Sequence, residues 1–213
     1  MKRINYPAPS GAYKICVNHK ASWQNYDTCR LQISVGKPNY EGDKFSALCE
    51  WAGARFDRTV LIVSDTLQRH NLRYQRNCDA ATAWKLSRLE GELWLHRNAG
   101  ALRHLQNPAI LRWDELLMHP SYRVIDTTPA LDQAIEHTIR EFWSRHDYDP
   151  TLYFAFHHHS RTFLIEELSI FSYLFEDPAI DVYAGSWFHQ LMAVLFPQKD
   201  YLGVDYVRNR KSA

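Results

Sequence analysis

The sequence lacks the short motifs that most often assign an α/β protein to a reaction. No GxGxxG follows its first strand-like segments, and no GxxxxGK followed by Ser or Thr occurs in the 213 residues. The sequence therefore gives little support for a dinucleotide-dependent oxidoreductase or a P-loop enzyme. The tetrapeptide ISVG, which contains Ser34, does not match the GxSxG nucleophile elbow. A lipase-like hydrolase is thus unsupported as well.

Long apolar runs are also missing. No segment approaches the roughly 20 apolar residues that cross a bilayer, and the opening residues MKRINYPAPSGAYK lack the apolar stretch of a secretion signal. We therefore expect a cytoplasmic protein without a membrane partner. Because 213 residues suit one domain, we expect a single domain with a loose arm at residues 1–11 and a basic tail at residues 207–213.

Cysteines and clustered metal ligands are scarce. The four cysteines form no CxxC pair and lie mostly in apolar settings, which favours buried free thiols over disulfides or a zinc site. They are Cys16, Cys29, Cys49 and Cys78. The consecutive imidazoles at residues 157–159 point in different directions on a helix or a strand, unlike a typical zinc site. We predict no metal and no other cofactor.

An apolar segment that ends in a serine is the most informative feature present. Residues 29–34 read as a strand, Phe45–Phe56 as a helix, and Thr59–Asp65 as a second strand. Open α/β sheets bind ligands at the carboxyl ends of their parallel strands. Ser34 is therefore expected at a ligand-binding edge, as a nucleophile or an anchoring hydroxyl.

The rest of the chain continues to alternate between strand-like and helix-like segments. Helical patterns are predicted from Thr66 to about residue 106 with Asp79 as an N-cap, from Thr127 or Thr128 onward, from about Ser160, and over residues 186–196. Further strands are predicted at Ala12–Asn18, Ile110–Trp113, Tyr122–Asp126 and Ile180–Gly185. This alternation predicts an α/β fold whose mostly parallel sheet has helices on both faces.

Positive charge is concentrated between residues 69 and 104. Seven Lys and Arg residues face three Asp and Glu residues there, so this segment carries +4 and the rest of the chain −3. Arg69, Arg73 and Arg76 have i, i+4, i+7 spacing, which places them on one face of a helix. Such a row can bind a phosphate backbone, although the charge pattern alone favours an ordinary solvated face.

Two further polar features stand in apolar surroundings. Glu166 and Glu167 lie within FLIEELSIF, where a carboxylate must either face solvent or serve a site, because burying it without a partner is costly. Tyr183 lies in the strand-like IDVYAG. It is either a core tyrosine or a phenol that shares a cleft with Ser34.

In order along the chain, these segments resemble the tRNA-dependent cyclodipeptide synthases, whose fold is related to the catalytic domain of class I tyrosyl- and tryptophanyl-tRNA synthetases. The resemblance covers roughly residues 12–196. Its motifs are QIS, FSALCEWAGARF, VSDTLQRH, KLSRLEGELWLHRN, the helix-like segment from Phe163 to Ser169, and VYAG. It implies a Rossmann-like fold and a transferase that uses aminoacyl-tRNAs without ATP and forms a cyclodipeptide or a related amide.

The resemblance also implies roles for particular residues. Ser34 would accept the first aminoacyl group, Glu167 would hold its amino group, and Tyr183 would assist proton transfer. The acceptor stem of tRNA would be bound by five basic residues. They are Arg69, Arg73, Arg76, Lys85 and Arg88.

Four positions that would touch the substrate depart from the family pattern. Gln32 replaces a glycine, Lys37 stands where one subfamily has Asn, Phe163 replaces a tyrosine, and Ala184 stands where His or Gln is usual. Gln32 predicts a first pocket that is narrower or more polar than usual. Ser169 also replaces the proline that follows the family's glutamate.

Other functions remain open at this stage. The chain could bind tRNA without catalysis, or could join one aminoacyl group to an amino acid or a small-molecule acceptor. A synthetase-like adenylate former is weaker, because HIGH- and KMSKS-like sequences are absent. We expect a monomer or a homodimer.

Overall fold

The apolar alternation of the sequence folds into one sheet in the computed structural model, which describes residues 3–6, 12–18, 24–184 and 188–209. The strands are β1 Arg3–Tyr6, β2 Tyr13–Asn18, β3 Thr28–Ile33, β4 Arg58–Val63, β5 Ala109–Arg112, β6 Ile180–Tyr183 and β7 Tyr201–Arg208. Their order across the sheet is β1-β2-β7-β6-β3-β4-β5. The five strands from β7 to β5 are parallel, whereas β2 pairs antiparallel with β7 and with β1.

Seven helices accompany these strands within the same ranges. They are α1 Gly42–Gly53, α2 Arg69–Arg76, α3 Ala80–Leu102, α4 Trp113–Leu117, α5 Pro129–Ser144, α6 Tyr153–Leu174 and α7 Phe188–Leu195. The predicted cap of α3 is confirmed, because the Asp79 carboxylate accepts a hydrogen bond from the Thr82 amide at 2.7 Å. Thr128 caps α5 in the same way, and Pro129 occupies its first turn.

Alternate residues of the sheet face two separate apolar layers. On one face, β3 contributes Leu31 and Ile33 to a core that also contains Phe45 of α1 and Trp94 of α3. On the other face, Ile62 of β4 packs in a core formed largely by α4 and α6. The predicted α/β class, with a mostly parallel sheet and helices on both faces, is confirmed.

One predicted strand and one predicted helix start are wrong. Tyr122–Asp126 forms no strand, and the Ile125 amide donates to the Ser169 hydroxyl at 3.1 Å rather than to a neighbouring strand. The helix predicted from Ser160 begins earlier, at Tyr153, directly after a 3-10 turn that the Asp149 carboxylate caps. Residues 157–159 are therefore helical, and His157 contacts Glu136 at 2.7 Å.

Both predicted terminal segments contain strand residues. Arg3–Tyr6, part of the expected loose arm, pairs with β2, while residues 1–2 and 7–11 lie outside the described ranges. Val207 and Arg208, part of the expected tail, belong to β7, and residues 210–213 are not described. The sequence reading missed β7, although Leu202 and Val204 alternate toward the core. Residues 185–187, which span predicted strand and helix ends, also lie outside the described ranges.

The expectation of thiols rather than disulfides is confirmed. Cys16, Cys29 and Cys49 are buried, Cys78 is partly exposed, and none of the four forms a disulfide. Burial raises the pKa of the Cys29 thiol to about 12, so it stays protonated and unreactive. None of the helices in the described ranges combines the length and apolar character needed to span a bilayer.

Gly91 allows α3 to approach the strand end that carries Asp65. A Cβ atom built on Gly91 would lie within 3.0 Å of three side-chain atoms of Asp65, whose side chain is fully buried. Asp65 accepts hydrogen bonds from the Thr66 amide at 2.7 Å and from Arg112 Nε at 2.7 Å. Overpacking at this point must disturb that network.

We predict that Gly91→Ala lowers the free energy of unfolding by roughly 1–3 kcal/mol, the usual cost of overpacking. Gly100→Ala on the same helix is the matched control, since nothing lies within 4 Å of the position that its methyl group would take. That control should be neutral or stabilising by up to about 1 kcal/mol. Urea unfolding measures both, and equal effects at the two positions would contradict the proposed close approach.

Candidate active site

The carboxyl ends of β3 and β6 form the point at which the chain reverses its direction across the sheet. From β3 the chain continues through β4 to β5 on one side, and later through β6 to β7 on the other. Ligands of open α/β sheets bind in the crevice outside such a point. Ser34 follows β3 directly, and Tyr183 is the last residue of β6.

Ser34 lies in a tight turn and keeps part of its surface exposed. Its carbonyl accepts a hydrogen bond from the Lys37 amide at 3.2 Å, and Gly36 provides the positive φ of +83° in this turn. The Ser34 hydroxyl is contacted by Gln68, whose Nε2 donates to Oγ at 3.4 Å. The serine predicted from sequence is thus presented at the sheet edge with an amide donor beside it.

The loop after Ser34 is fastened to the end of β6. The Ala184 amide donates to the Tyr40 hydroxyl at 3.2 Å, and Asn39 Nδ2 donates to the Ala184 carbonyl at 3.0 Å. Trp94 of α3 anchors the same loop by donating to the Tyr40 carbonyl at 2.8 Å. These bonds hold the Ser34 loop against the strand that carries Tyr183, and they engage both backbone groups of Ala184.

A buried polar row runs along β3 toward Ser34. Arg30 Nε and one terminal nitrogen donate to the two carboxylate oxygens of Asp181 at 3.0 and 2.8 Å, and Gln32 Nε2 donates to Asp181 Oδ1 at 2.7 Å. Burial raises the pKa of Asp181, and the Arg30 guanidinium limits the rise. Because side chains alternate along a strand, Arg30 and Gln32 share one face of β3, which ends one residue before Ser34.

Glu166 of α6 has a full set of partners. Arg69 forms a two-pronged ion pair with it, with one bond of 2.9 Å to Oε1, and Trp113 Nε1 donates to the same oxygen at 2.8 Å. His70 Nε2 lies 3.2 Å from Oε2. Burial opposes the charge, but the His70 and Arg69 contacts outweigh it and lower the pKa of Glu166. Glu166 therefore joins α6 to α2 and α4 as a carboxylate.

Glu167, the next residue, has the opposite environment. No hydrogen bond or ion pair to it occurs among the described residues, and the residue keeps part of its surface exposed. Burial and the neighbouring Glu166 charge raise the pKa of Glu167 to about 8. The Glu167 charge in turn raises the pKa of Tyr40 and of Tyr183.

Tyr183 lies at the same edge with its ring in the α6-side core. Its ring centre is 6.1 Å from that of Phe171 and 6.5 Å from that of Tyr201. Burial, with the nearby charges of Asp181 and Glu167, raises the pKa of Tyr183 well above its ordinary value. The phenol therefore stays protonated and can donate a hydrogen bond or a proton.

The other predicted substrate contacts lie around this edge. Phe163 precedes Glu167 by one helical turn and packs beside the core that includes Tyr183. Lys37 is exposed on the Ser34 turn, with its ammonium 5.8 Å from the ring centre of Phe142 on α5. Ser34, Glu167, Tyr183 and their predicted neighbours thus belong to one region of the fold.

The predicted tRNA-binding residues divide into two groups. Arg73, Arg76 and Lys85 are exposed and form no ion pair within the described ranges. Arg69 instead holds Glu166 and lies 5.0 Å from the Trp84 ring centre, while Arg88 pairs with Asp114 and with Glu92. The Arg69 guanidinium is thus largely engaged by Glu166, whereas the Arg88 side chain remains 46% exposed beside its partners.

Sequence reasoning missed three contributors to this region. Gln68 was part of a quoted motif but received no role, and Glu166 was not separated from Glu167. The Arg30–Asp181 pair also went unnoticed, since its members are 151 residues apart. The available signal was the presence of polar residues inside or beside otherwise apolar helix-like and strand-like segments.

Solved structures that resemble this one are described as cyclodipeptide synthases. A CDPS from Fluoribacter dumoffii is 24% identical with a TM-score of 0.82, over 92% of this chain and 100% of that chain. A cyclodipeptide synthase from Candidatus Glomeribacter gigasporarum, bound to Phe-tRNAPhe, is 15% identical with a TM-score of 0.63, over 87% and 89%. No protein-family model and no curated protein matches the sequence.

A third similar structure connects the fold to a wider class. It is a Mycobacterium tuberculosis protein, 12% identical with a TM-score of 0.65 over 95% of this chain and 96% of that one. Its structure is described as relating cyclodipeptide synthetases to type I tRNA synthetases. The chain therefore has the Rossmann-like fold of the cyclodipeptide synthases. The resemblance seen in the sequence is confirmed at the level of the fold.

We predict that Glu167→Gln changes how stability depends on pH. Glu167 keeps its proton in the folded protein up to a pKa of about 8, but loses it near 4.5 when unfolded. Stability is therefore lost as pH rises through this window. The variant should match wild type near pH 4.5 and exceed it at pH 8.5 by on the order of 1–4 kcal/mol, since one pKa unit corresponds to about 1.4 kcal/mol.

Urea unfolding at the two pH values gives the comparison. Glu90→Gln, at an exposed position of α3, is the control for removing a carboxylate. Its free energy of unfolding relative to wild type should not increase with pH. A constant difference between Glu167→Gln and wild type across this range would contradict the raised pKa.

Proposed function

We propose that this chain is a member of the cyclodipeptide synthase family. It is an aminoacyl-tRNA-dependent transferase that forms a cyclodipeptide or a related amide through an aminoacyl-Ser34 intermediate. The observation that carries this proposal is the contrast between two adjacent glutamates. Glu166 is buried and has a full set of partners, whereas Glu167 is partly exposed, has no polar partner among the described residues, and raises the pKa of Tyr183 at the sheet edge where Ser34 lies.

The first step exchanges one ester for another. The Ser34 hydroxyl attacks the carbonyl carbon of an aminoacyl-tRNA, the bond to the tRNA 3′ oxygen breaks, and the hydroxyl proton ends on that oxygen. No ATP is needed, because the aminoacyl ester is already activated. A covalent intermediate of this kind divides a difficult transfer into two easier ones.

Glu167 holds the amino group of the bound aminoacyl residue. A protonated carboxyl without a cation partner is converted to a carboxylate when an ammonium group arrives, and the two then form an ion pair. This pairing orients the aminoacyl group relative to Ser34, and orientation lowers the barrier of the transfer. Amide formation requires the free amine, and the Glu167 carboxylate of this ion pair can take up the ammonium proton, because its surroundings favour the protonated carboxyl.

Tyr183 supplies a protonated phenol at the sheet edge where Ser34 lies. Its raised pKa keeps the proton on oxygen, so the phenol donates to an oxygen that gains charge rather than acting as a phenolate. Such an oxygen forms on the tRNA 3′ end as it departs and on the carbonyl under attack. Tyr183 thereby assists proton transfer and carbonyl positioning.

Gln32 gives the pocket beside Ser34 a polar wall. Its Oε1 is buried and has no hydrogen-bond partner within the described ranges, while its Nε2 is fixed on Asp181 at 2.7 Å. A buried acceptor without a partner is costly and rejects ligands that cannot satisfy it. Phe163 and Lys37 border the same substrate region.

The tRNA lies along the exposed face that begins at α2. Gln68 contacts Ser34 and directly precedes α2, so with a rise of 1.5 Å per residue Arg73 and Arg76 lie about 8 and 12 Å along the helix from it. Together with Lys85 at the start of α3, they place positive charge on a path leading from the reacting serine. Backbone phosphates of the acceptor stem are the groups they bind.

We predict that wild-type protein becomes acylated at Ser34 by aminoacyl-tRNA. The measurement is intact-protein and peptide mass spectrometry after incubation with a mixture of labelled aminoacyl-tRNAs, together with analysis of released amides. Ser34→Ala should carry no label and release no product. Glu167→Gln should acylate more slowly, because the amino group is no longer held. Label on another residue, or no label and no amide from wild type, would exclude the acyl-serine mechanism.

We predict that Arg73→Glu weakens tRNA binding and flattens its salt dependence. Each lost phosphate contact should reduce the slope of log K against log salt concentration by about 0.7–0.9. Arg58→Glu is the matched control, since Arg58 is exposed at the amino end of β4, the opposite edge of the sheet from Ser34. Filter binding over a salt series tests this. Equal losses in the two variants would mean that α2 is not the tRNA surface.

A further inference from the structure

Gln68 is the residue that contacts the Ser34 hydroxyl, and its amide is oriented by its own neighbours. Its Nε2 donates to Ser34 Oγ at 3.4 Å, while its Oε1 accepts from Asn71 Nδ2 at 2.8 Å. Because Asn71 occupies the oxygen, the nitrogen is turned toward the serine. A primary amide carries two N–H donors, so one hydrogen remains after the bond to Oγ.

The backbone that carries Gln68 is held on both sides. On the preceding side, the Gln68 amide donates to the Asp65 carbonyl at 3.0 Å, within the turn that the Asp65 carboxylate caps. On the following side, Arg69 is bound by Glu166 and lies over Trp84. Side chains mounted on such a supported segment can keep a catalytic geometry without reorganising during the reaction.

We infer that Gln68 is a further catalytic residue, whose amide N–H groups stabilise the carbonyl oxygen of the aminoacyl ester as Ser34 attacks it. This inference rests on the proposed function. As the bond from Oγ to the carbonyl carbon forms, the carbonyl electrons move onto its oxygen. They return when the bond to the tRNA 3′ oxygen breaks, and the Ser34 proton ends on that oxygen.

The position of Gln68 fits this role better than a purely structural one. A donor beside Oγ is also beside any carbonyl carbon bonded to Oγ, and so it is within reach of the oxygen on that carbon. Arg69 and His70 are the next polar residues along the chain, and both are committed to Glu166. Besides the Tyr183 phenol, the Gln68 amide is therefore a nearby side-chain donor, and no partner in the described ranges takes its remaining hydrogen.

The test is the single-turnover rate of Ser34 acylation at saturating aminoacyl-tRNA, measured for Gln68→Met. Removing one donor of this kind typically costs about 100- to 1,000-fold in rate. The concentration of aminoacyl-tRNA that gives half-maximal rate should change little, since binding along α2 is untouched. Circular dichroism and thermal unfolding establish that the variant is folded.

Two further variants show whether the side chain at position 68 acts as a hydrogen-bond donor or as an acceptor. Gln68→Glu keeps an acceptor but removes the donor, so it should be as slow as Gln68→Met. Asn71→Asp offers only an acceptor to Gln68, turns the amide nitrogen away from Ser34, and should also slow acylation. Gln75→Glu, on the same helix and away from Ser34, is the control for added negative charge and should retain the wild-type maximal rate.

The outcomes distinguish this inference from the proposed function. Acylation of wild type together with an unchanged rate in Gln68→Met, or a retained rate in Gln68→Glu, overturns the role of Gln68 and leaves the acyl-serine mechanism standing. The role of Gln68 is also overturned if Gln68→Met raises only the aminoacyl-tRNA concentration needed for the half-maximal rate and leaves the maximal rate of acylation unchanged. Absence of acylation in wild type overturns both.

Discussion

The ion pair between Arg30 and Asp181 is the interaction on which the rest of the site depends. It joins β3 to β6 in the interior, between residues that are register partners in the parallel pairing of the two strands. A buried pair contributes little net stability, because desolvation offsets much of the attraction, but breaking it leaves an uncompensated charge. Its effect here is to favour one register, which brings the ends of β3 and β6, and hence Ser34 and Tyr183, to the same edge.

The same region shows how two identical side chains acquire different chemistry. Glu166 and Glu167 differ by one position on α6 and therefore by about 100° around the helix. The first is directed to Arg69, His70 and Trp113 and remains a carboxylate, whereas the second has no such partners among the described residues and keeps its proton at neutral pH. Pairs of titratable groups whose surroundings separate their pKa values are typical of acid–base sites. A structural carboxylate thus supports, from the adjacent position, the carboxyl proposed to act on substrate.

Much of the fold was predictable, because the relevant information is local. The strand ending at Ser34, the helix after it and the strand ending at Asp65 follow from apolar periodicity, and the Asp79 cap follows from a side chain three residues from its partner. The short run Tyr122–Asp126 could not be assigned by periodicity alone, and the ambiguity was settled by a bond to Ser169.

The candidate site was predictable only in part. The serine, the tyrosine and a glutamate came from pattern and resemblance, but the partners that define their chemistry are distant in sequence. Whether Arg69 binds a phosphate or a carboxylate depends on Glu166, 97 residues away. Arg88 similarly depends on Asp114. A charge pattern can place an arginine on a helix face, but it cannot show that the fold brings a carboxylate to that face.

The central claim is that Ser34, Glu167 and Tyr183 act together on one aminoacyl group. A crystal structure of the protein after reaction with a single aminoacyl-tRNA tests it most directly. We expect an aminoacyl group bonded to Ser34 Oγ, with its amino nitrogen within about 2.7–3.2 Å of a Glu167 oxygen and Tyr183 against the same group. An acyl group on another side chain, or an amino nitrogen directed away from Glu167, would contradict it.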